Sequence, residues 1–137
     1  MTTPEPLTDV VEAIKVFVGH PEIFESDLQD RLFPLLPDGM FVSTSGSPFV
    51  EVTAAGADKA AAVQRLAATR GLDRSEVMTF GDQMNDLSML EWAGVGVAMG
   101  NARTEAVAVA DRVTSSNVDD GVAEVIEELV AAQETSS

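Results

Sequence analysis

The stretch Thr79-Phe80-Gly81-Asp82-Gln83-Met84-Asn85-Asp86 decides how this chain is read. With Val77 and Met78 before it, it begins as a short apolar run of buried-strand type and ends in Gly-Asp. Two residues later Asn85-Asp86 opens a helix that reaches about Trp92, turns Leu87 and Leu90 inward and stops at Gly94. The alternation continues downstream. Val95–Met99 reads as a strand, Arg103–Ala110 as a helix and Arg112–Thr114 as a strand. A last helix starts near Asp119-Asp120, with Val122, Val125, Ile126, Leu129 and Val130 on one face, and the tail Gln133–Ser137 is expected to fray. Upstream, residues 58–70 form a helix with Ala62, Val63, Leu66, Ala67 and Arg70 at helical spacing, closed by Gly71. Helices alternating with short apolar strands predict an α/β layer built on a parallel sheet.

The first third is organised differently. A polar lead with Pro4 and Pro6 gives a short helical stretch after Thr8, and Ile14–Val18 reads as a strand ended by Gly19-His20-Pro21. Residues 22–36 place Ile23, Leu28, Leu32 and Leu35 near one helical face before Pro37-Asp38-Gly39 stops them. Met40–Thr44 and Phe49–Thr53 flank the turn signal Ser45-Gly46-Ser47-Pro48 and predict a hairpin. The order is β-α-β-β, so the chain divides into residues 1–54 and 55–137.

Composition sets the limits of function. Across 137 residues there are 8 basic and 23 acidic side chains, a net charge of −15, 45% hydrophobic residues and no cysteine. The apolar fraction supports a folded chain. The charge argues against non-specific binding to nucleic acid, which needs clustered Lys and Arg. Without cysteine there are no disulfides, thiolate zinc sites or cysteine nucleophiles. No run is long and apolar enough to span a bilayer, and the acidic, proline-bearing N-terminus does not read as a signal peptide. A soluble cytoplasmic protein is the expectation. Only two of the basic residues are lysines, Lys15 and Lys59, so a lysine within a motif stands out.

In a parallel α/β sheet the carboxyl ends of the strands face the ligand crevice. Asp82 falls there, with Asn85 and Asp86 a helical turn beyond. One or two carboxylates, waters and a substrate phosphate satisfy a hard cation such as Mg²⁺. The same residue types also serve as turn formers and N-caps, which leaves a purely local role open for Asp82 and Asn85. Lys59, at the start of its helix, is either a solvated surface residue or a compact positive charge for a phosphoryl oxygen. Gly94-Val95-Gly96-Val97-Ala98-Met99-Gly100 imitates a dinucleotide fingerprint, but its last glycine falls one residue late and its apolar residues form a strand. His20, the only histidine, has no second histidine with which to share a metal.

Taken in order, Gly56-Ala57-Asp58-Lys59, Gly71-Leu72, Val77 to Asp86, Met89-Leu90, Ala93 to Ala102, Ala110-Asp111, Asn117 and Asp120 to Ala123 resemble the haloacid dehalogenase superfamily. The resemblance is to its branch of Cof-type sugar-phosphate phosphatases and covers about residues 50–130. It implies a partial Rossmann-like core at residues 55–137, preceded by the remnant of an α/β cap at residues 1–54. It also implies Mg²⁺ as cofactor and a small phosphorylated metabolite as substrate. By the same resemblance Lys59 stabilises the phosphoryl group and the nucleophile, Asp82 ligates Mg²⁺ and Asn85 contacts phosphate or substrate. Asp86 is a supporting carboxylate that orients Lys59, and Asn101 is a structural residue at the crevice mouth.

One departure outweighs these matches. Family members carry Asp-x-Asp-Gly-Thr, whose first Asp accepts the phosphoryl group, and no Asp-x-Asp occurs in this sequence. Phosphoryl transfer through an aspartyl-phosphate needs that carboxylate within bonding reach, so the chain is expected not to turn over alone. In the family the nucleophile strand also lies beside the strand that is Val77–Gly81 here. An uncovered edge favours association, and the expected covers are a second copy, a separately encoded N-terminal half or a rearranged part of the cap. The alternative is a non-enzymatic relic or regulatory fragment that binds Mg²⁺ or phosphate weakly, or only associates with another chain.

Overall fold

The computed structural model describes residues 13–45 and 47–135. The helical stretch expected after Thr8 lies outside them. The remainder holds two three-stranded sheets, an antiparallel one followed by a parallel one.

The antiparallel sheet has the strand order β1-β3-β2, with β1 at Val16–Val18, β2 at Met40–Thr44 and β3 at Val50–Ala54. Helix α1, Glu25–Leu32, continues as a 3₁₀ turn over Phe33–Leu35, where Pro34 removes a backbone donor and tightens the end. The period of two decides which face is buried. Val42, Val50 and Val52 pack under Leu28 of α1, joined by Val18, Ile23, Leu32 and Leu36. The other face carries Phe17, Ser43 and Glu51 in direct cross-strand register. The expected hairpin is present; the expected helix over 22–36 is shorter, because Pro21 and Pro34 bracket what can be α-helical.

The parallel sheet has the order β4-β5-β6, with β4 at Met78–Gly81, β5 at Val95–Ala98 and β6 at Arg112–Val113. Helix α2, Lys59–Arg70, precedes it, with the Asp58 carboxylate accepting the Ala61 amide and Gly71 in the left-handed conformation at φ 67°. A 3₁₀ turn at Met84–Asp86 leads into α3, Leu87–Trp92, and α4, Thr104–Val109, joins β5 to β6. The last helix, α5, spans Gly121–Thr135, so the tail from Gln133 is helical as far as Thr135 rather than frayed. Leu90, Val97, Ala98, Ala106 and Val125 are fully buried between these layers.

Two helices leave much of their apolar faces exposed. Of the five apolar residues on one face of α5, only Val125 is inside; Val122, Ile126, Leu129 and Val130 are 38–49% exposed. On α2 the small residues Ala60 and Ala67 are buried, while Leu66 is 57% exposed. Both stripes are amphipathic by spacing, but the described residues supply no layer to cover them. β4 likewise has a hydrogen-bonded neighbour on one side only among the described residues.

Candidate functional site

The site forms where β4 ends. At Gly81 the chain meets its own return: a Cβ placed there would lie 2.5 Å from the Cβ of Asp86. Only glycine admits that approach. The 3₁₀ turn brings Asp86 back under the strand end, where its Oδ2 accepts the backbone amides of Asp82 and Gln83, each at 3.0 Å. Asp86 is 3% exposed. Its Oδ1 accepts from the Lys59 ammonium, which also donates to Asn85 Oδ1 at 3.4 Å. Residues 59, 85 and 86 therefore converge although α2 and the turn are some 26 positions apart in the chain.

The charge on Asp86 is set by opposed influences. Burial is the largest and raises its pKa, but the Lys59 ammonium and the Gln83 and Asp82 amides together outweigh it. The carboxyl is held below the ordinary aspartate value and stays ionised. One of its oxygens accepts the two amides and the other the lysine.

Asp82 is placed differently. Its Oδ2 accepts from Gln83 Nε2 and Asn101 Nδ2, both at 3.3 Å, and no donor reaches its Oδ1 among the described residues. Asn101 Oδ1 accepts the Asn117 amide at 2.9 Å, and the Arg103 amide donates to the Asp82 carbonyl at 3.0 Å. The loops after β4, β5 and β6 are thus sewn together around Asp82 by neutral amides. An open carboxylate oxygen without a cationic partner fits one ligand of a hard cation. The described residues contain no group of three or more His, Cys, Asp or Glu side chains able to hold a metal, so Asp82 fits as a single ligand within a larger set.

The turn also shows which side chains serve it locally. Capping falls to Asp86, whose carboxylate takes the amides at the start of the turn, whereas the Asn85 side chain turns toward Lys59. Sequence reasoning did not single out Gln83, which braces Asp82, or assign Asn101 its contact with that carboxylate. Their polar side chains inside the Gly-Asp-x-x-Asn and Met-Gly-Asn runs were the available signal. His20 only accepts the Glu22 amide, at 3.1 Å. A cleft of about 330 Å³ opens beside the turn, where Asn85, Met84 and Asp58 face Ser43 and Thr44 of β2.

Comparisons with known proteins place the chain in a family. The 5-amino-6-(5-phospho-D-ribitylamino)uracil phosphatase YcsE of Bacillus subtilis is 43% identical over 88 residues, 64% of this chain and 35% of its own. A haloacid dehalogenase-like hydrolase from Bacteroides thetaiotaomicron superimposes with a TM-score of 0.73 at 36% identity, covering 94% of this chain and 49% of that one. The sugar phosphatase BT4131, of subclass IIB of the same superfamily, gives 0.71 at 31% identity, covering 77% and 40%. The chain spans less than half the length of each of these relatives. The profile of the haloacid dehalogenase-like hydrolases matches residues 4–126, and with the strand-end aspartate, the lysine and the parallel sheet in place, the chain belongs to that family.

Proposed function

We propose that this chain carries the charge-stabilising part of a Mg²⁺-dependent phosphatase site for small phosphate monoesters. Its relatives are phosphatases of one superfamily. The single observation that carries the proposal is the Lys59 ammonium, fixed by Asp86 beside Asn85 at the carboxyl end of β4. A fixed ammonium stabilises charge on a transferring phosphoryl oxygen at no reorganisation cost. In this reading Asn85 orients the ester through its amide, and Asp82 offers its open oxygen as one metal ligand. Mg²⁺, when bound, neutralises phosphate charge and aligns the ester for in-line attack. Asn101 and Gln83 keep the Asp82 carboxylate aimed.

The nucleophile is a separate matter. With no Asp-x-Asp in these 137 residues, the attacking carboxylate has to come from another segment or chain, and the residues here hold the phosphate without reacting. The decisive experiment is an aryl-phosphate assay with and without Mg²⁺, run beside binding of inorganic phosphate. The chain alone is expected to bind phosphate weakly, to lose that binding in Lys59→Met, and to show no turnover. Turnover abolished by Asp82→Ala would instead reveal a substitute nucleophile.

One observation favours the second reading, of a fragment that only binds. Among the residues that meet around Lys59 and the end of β4, only Asp82 has a carboxylate oxygen that accepts no described hydrogen bond, so Mg²⁺ affinity should be low.

A further inference from the structure

The buried carboxylate that the phosphatase reading does not use is Glu51. It sits at the middle of β3, the central strand of the antiparallel sheet, on the face away from α1. It is 8% exposed. Lys15 Nζ donates to its Oε2 at 2.6 Å and Ser45 Oγ to its Oε1 at 3.0 Å. The same ammonium lies 5.7 Å from the centre of the Phe17 ring, which meets Phe49 edge-on at 5.0 Å. Phe17 and Phe41 are exposed on this face, at 59% and 47%.

Stability alone does not account for this arrangement. The Lys15 side chain is 38% exposed, and an ion pair open to solvent on one side contributes little net stability. β3 places valines at positions 50 and 52 and a charge between them. The hydrogen bond from Lys15, together with Ser45, holds the Glu51 carboxyl below the ordinary glutamate value despite its burial, and the Lys59 ammonium acts on it through space as well. Ser43, directly opposite Glu51 in the register, borders the cleft that contains Asn85. The chain's only two lysines are thus each paired with a buried carboxylate, and both act on Glu51.

We propose that Glu51, fixed by Lys15 and Ser45, is a specificity-determining residue that accepts a hydrogen bond from a hydroxyl on the alcohol part of the phosphate ester held at Lys59. The assignment rests on the phosphatase reading of the Lys59 site. Each Glu51 oxygen takes one described hydrogen bond and has capacity for another. Lys15 cancels its charge, so the pair suits a neutral hydroxyl better than a second anionic group. The exposed Phe rings beside it offer apolar cover for the carbon skeleton. A site built to hydrogen-bond a hydroxyl rejects an analogue that lacks it, because its own polar groups are then left unpaired.

The test measures binding of three probes to the intact chain: inorganic phosphate, n-butyl phosphate and erythritol 4-phosphate, which has the butyl skeleton with hydroxyls. The wild type is expected to bind the polyol ester about tenfold more tightly than the butyl ester, a difference of about 1.4 kcal/mol. Glu51→Gln should reduce that ratio to about two while leaving inorganic phosphate unchanged. Ser45→Ala, which keeps the ion pair, should reduce the ratio in the same direction and serves if Glu51→Gln fails to fold. An unchanged ratio in the folded variants overturns the role of Glu51 while leaving the Lys59 site intact. Failure of the wild type to bind any of the three overturns the phosphate site itself, and this proposal with it.

Discussion

Lys59 and Asp86 form an ion pair whose two halves have different surroundings: the lysine side chain is 49% exposed, the aspartate side chain 4%. The buried partner is also held by two backbone amides, so it is the fixed member and the lysine the one it aims. That asymmetry predicts that the two substitutions will differ.

Lys59→Met leaves a buried carboxylate without its cation, and stability should fall by about 2 kcal/mol. Asp86→Asn retains an oxygen for the two amides but frees the lysine, so phosphate affinity should fall while stability changes less. Thermal melts and phosphate titration on the two variants check the order.

Gly81→Ala tests the close approach. The added methyl would press on the Cβ and Cγ of Asp86 at 2.5 and 3.0 Å, and neither atom can retreat while the carboxylate holds its amides. A loss of about 1–3 kcal/mol is expected, with phosphate binding reduced because Asp86 no longer aims Lys59. A melting temperature equal to the wild type would contradict the packing described.

Glu51 gives a pH dependence of definite sign. Its folded pKa lies below the ordinary glutamate value, so its contribution to stability is complete above that ordinary value and is lost as pH falls through the lower folded one. Lys15 is the largest cause, with Ser45 and Lys59 acting in the same direction and burial opposing them. Melts from pH 7 to pH 3 should therefore show a gap between the wild type and Lys15→Met that closes in the acid range. A gap that widened there would reverse the sign.

Uncovered apolar surface on α5 yields a prediction about association. Ile126, Leu129 and Val130 are each nearly half exposed, so Ile126→Gln with Leu129→Gln should cost less than about 0.5 kcal/mol each. If a second copy or another chain covers that helix, the double variant should shift to a smaller species in light scattering. Self-association that persists unchanged would place the contact elsewhere, with the open edge of β4 the next candidate.

Much of the fold was legible in short-range pattern. Gly71 closing α2, Pro37-Asp38-Gly39 ending the first helical region and the alternation of β2 and β3 all act through a few neighbouring residues, as turns and pleats do. Leu66 and Ile126 lie on the faces that helical spacing gives them and are still largely exposed. Helical spacing tells which residues share a face, but burial depends on whether another element arrives to cover it, and that is a long-range property.

The sequence by itself determined the element order, the parallel α/β layer and the positions of Lys59, Asp82, Asn85 and Asp86, because each lies in a run whose spacing is local. It also determined that these residues contain no Asp-x-Asp. Only the tertiary structure decided which acids are spent and which are open. Asp86 is consumed by Lys59 and two amides, Asp82 keeps one oxygen, and Glu51, unmarked by any motif, is drawn to the open face by cross-strand register and held there by Lys15. The physical reason is that a carboxylate's role follows from its donors, and those donors come from residues as many as 36 positions away.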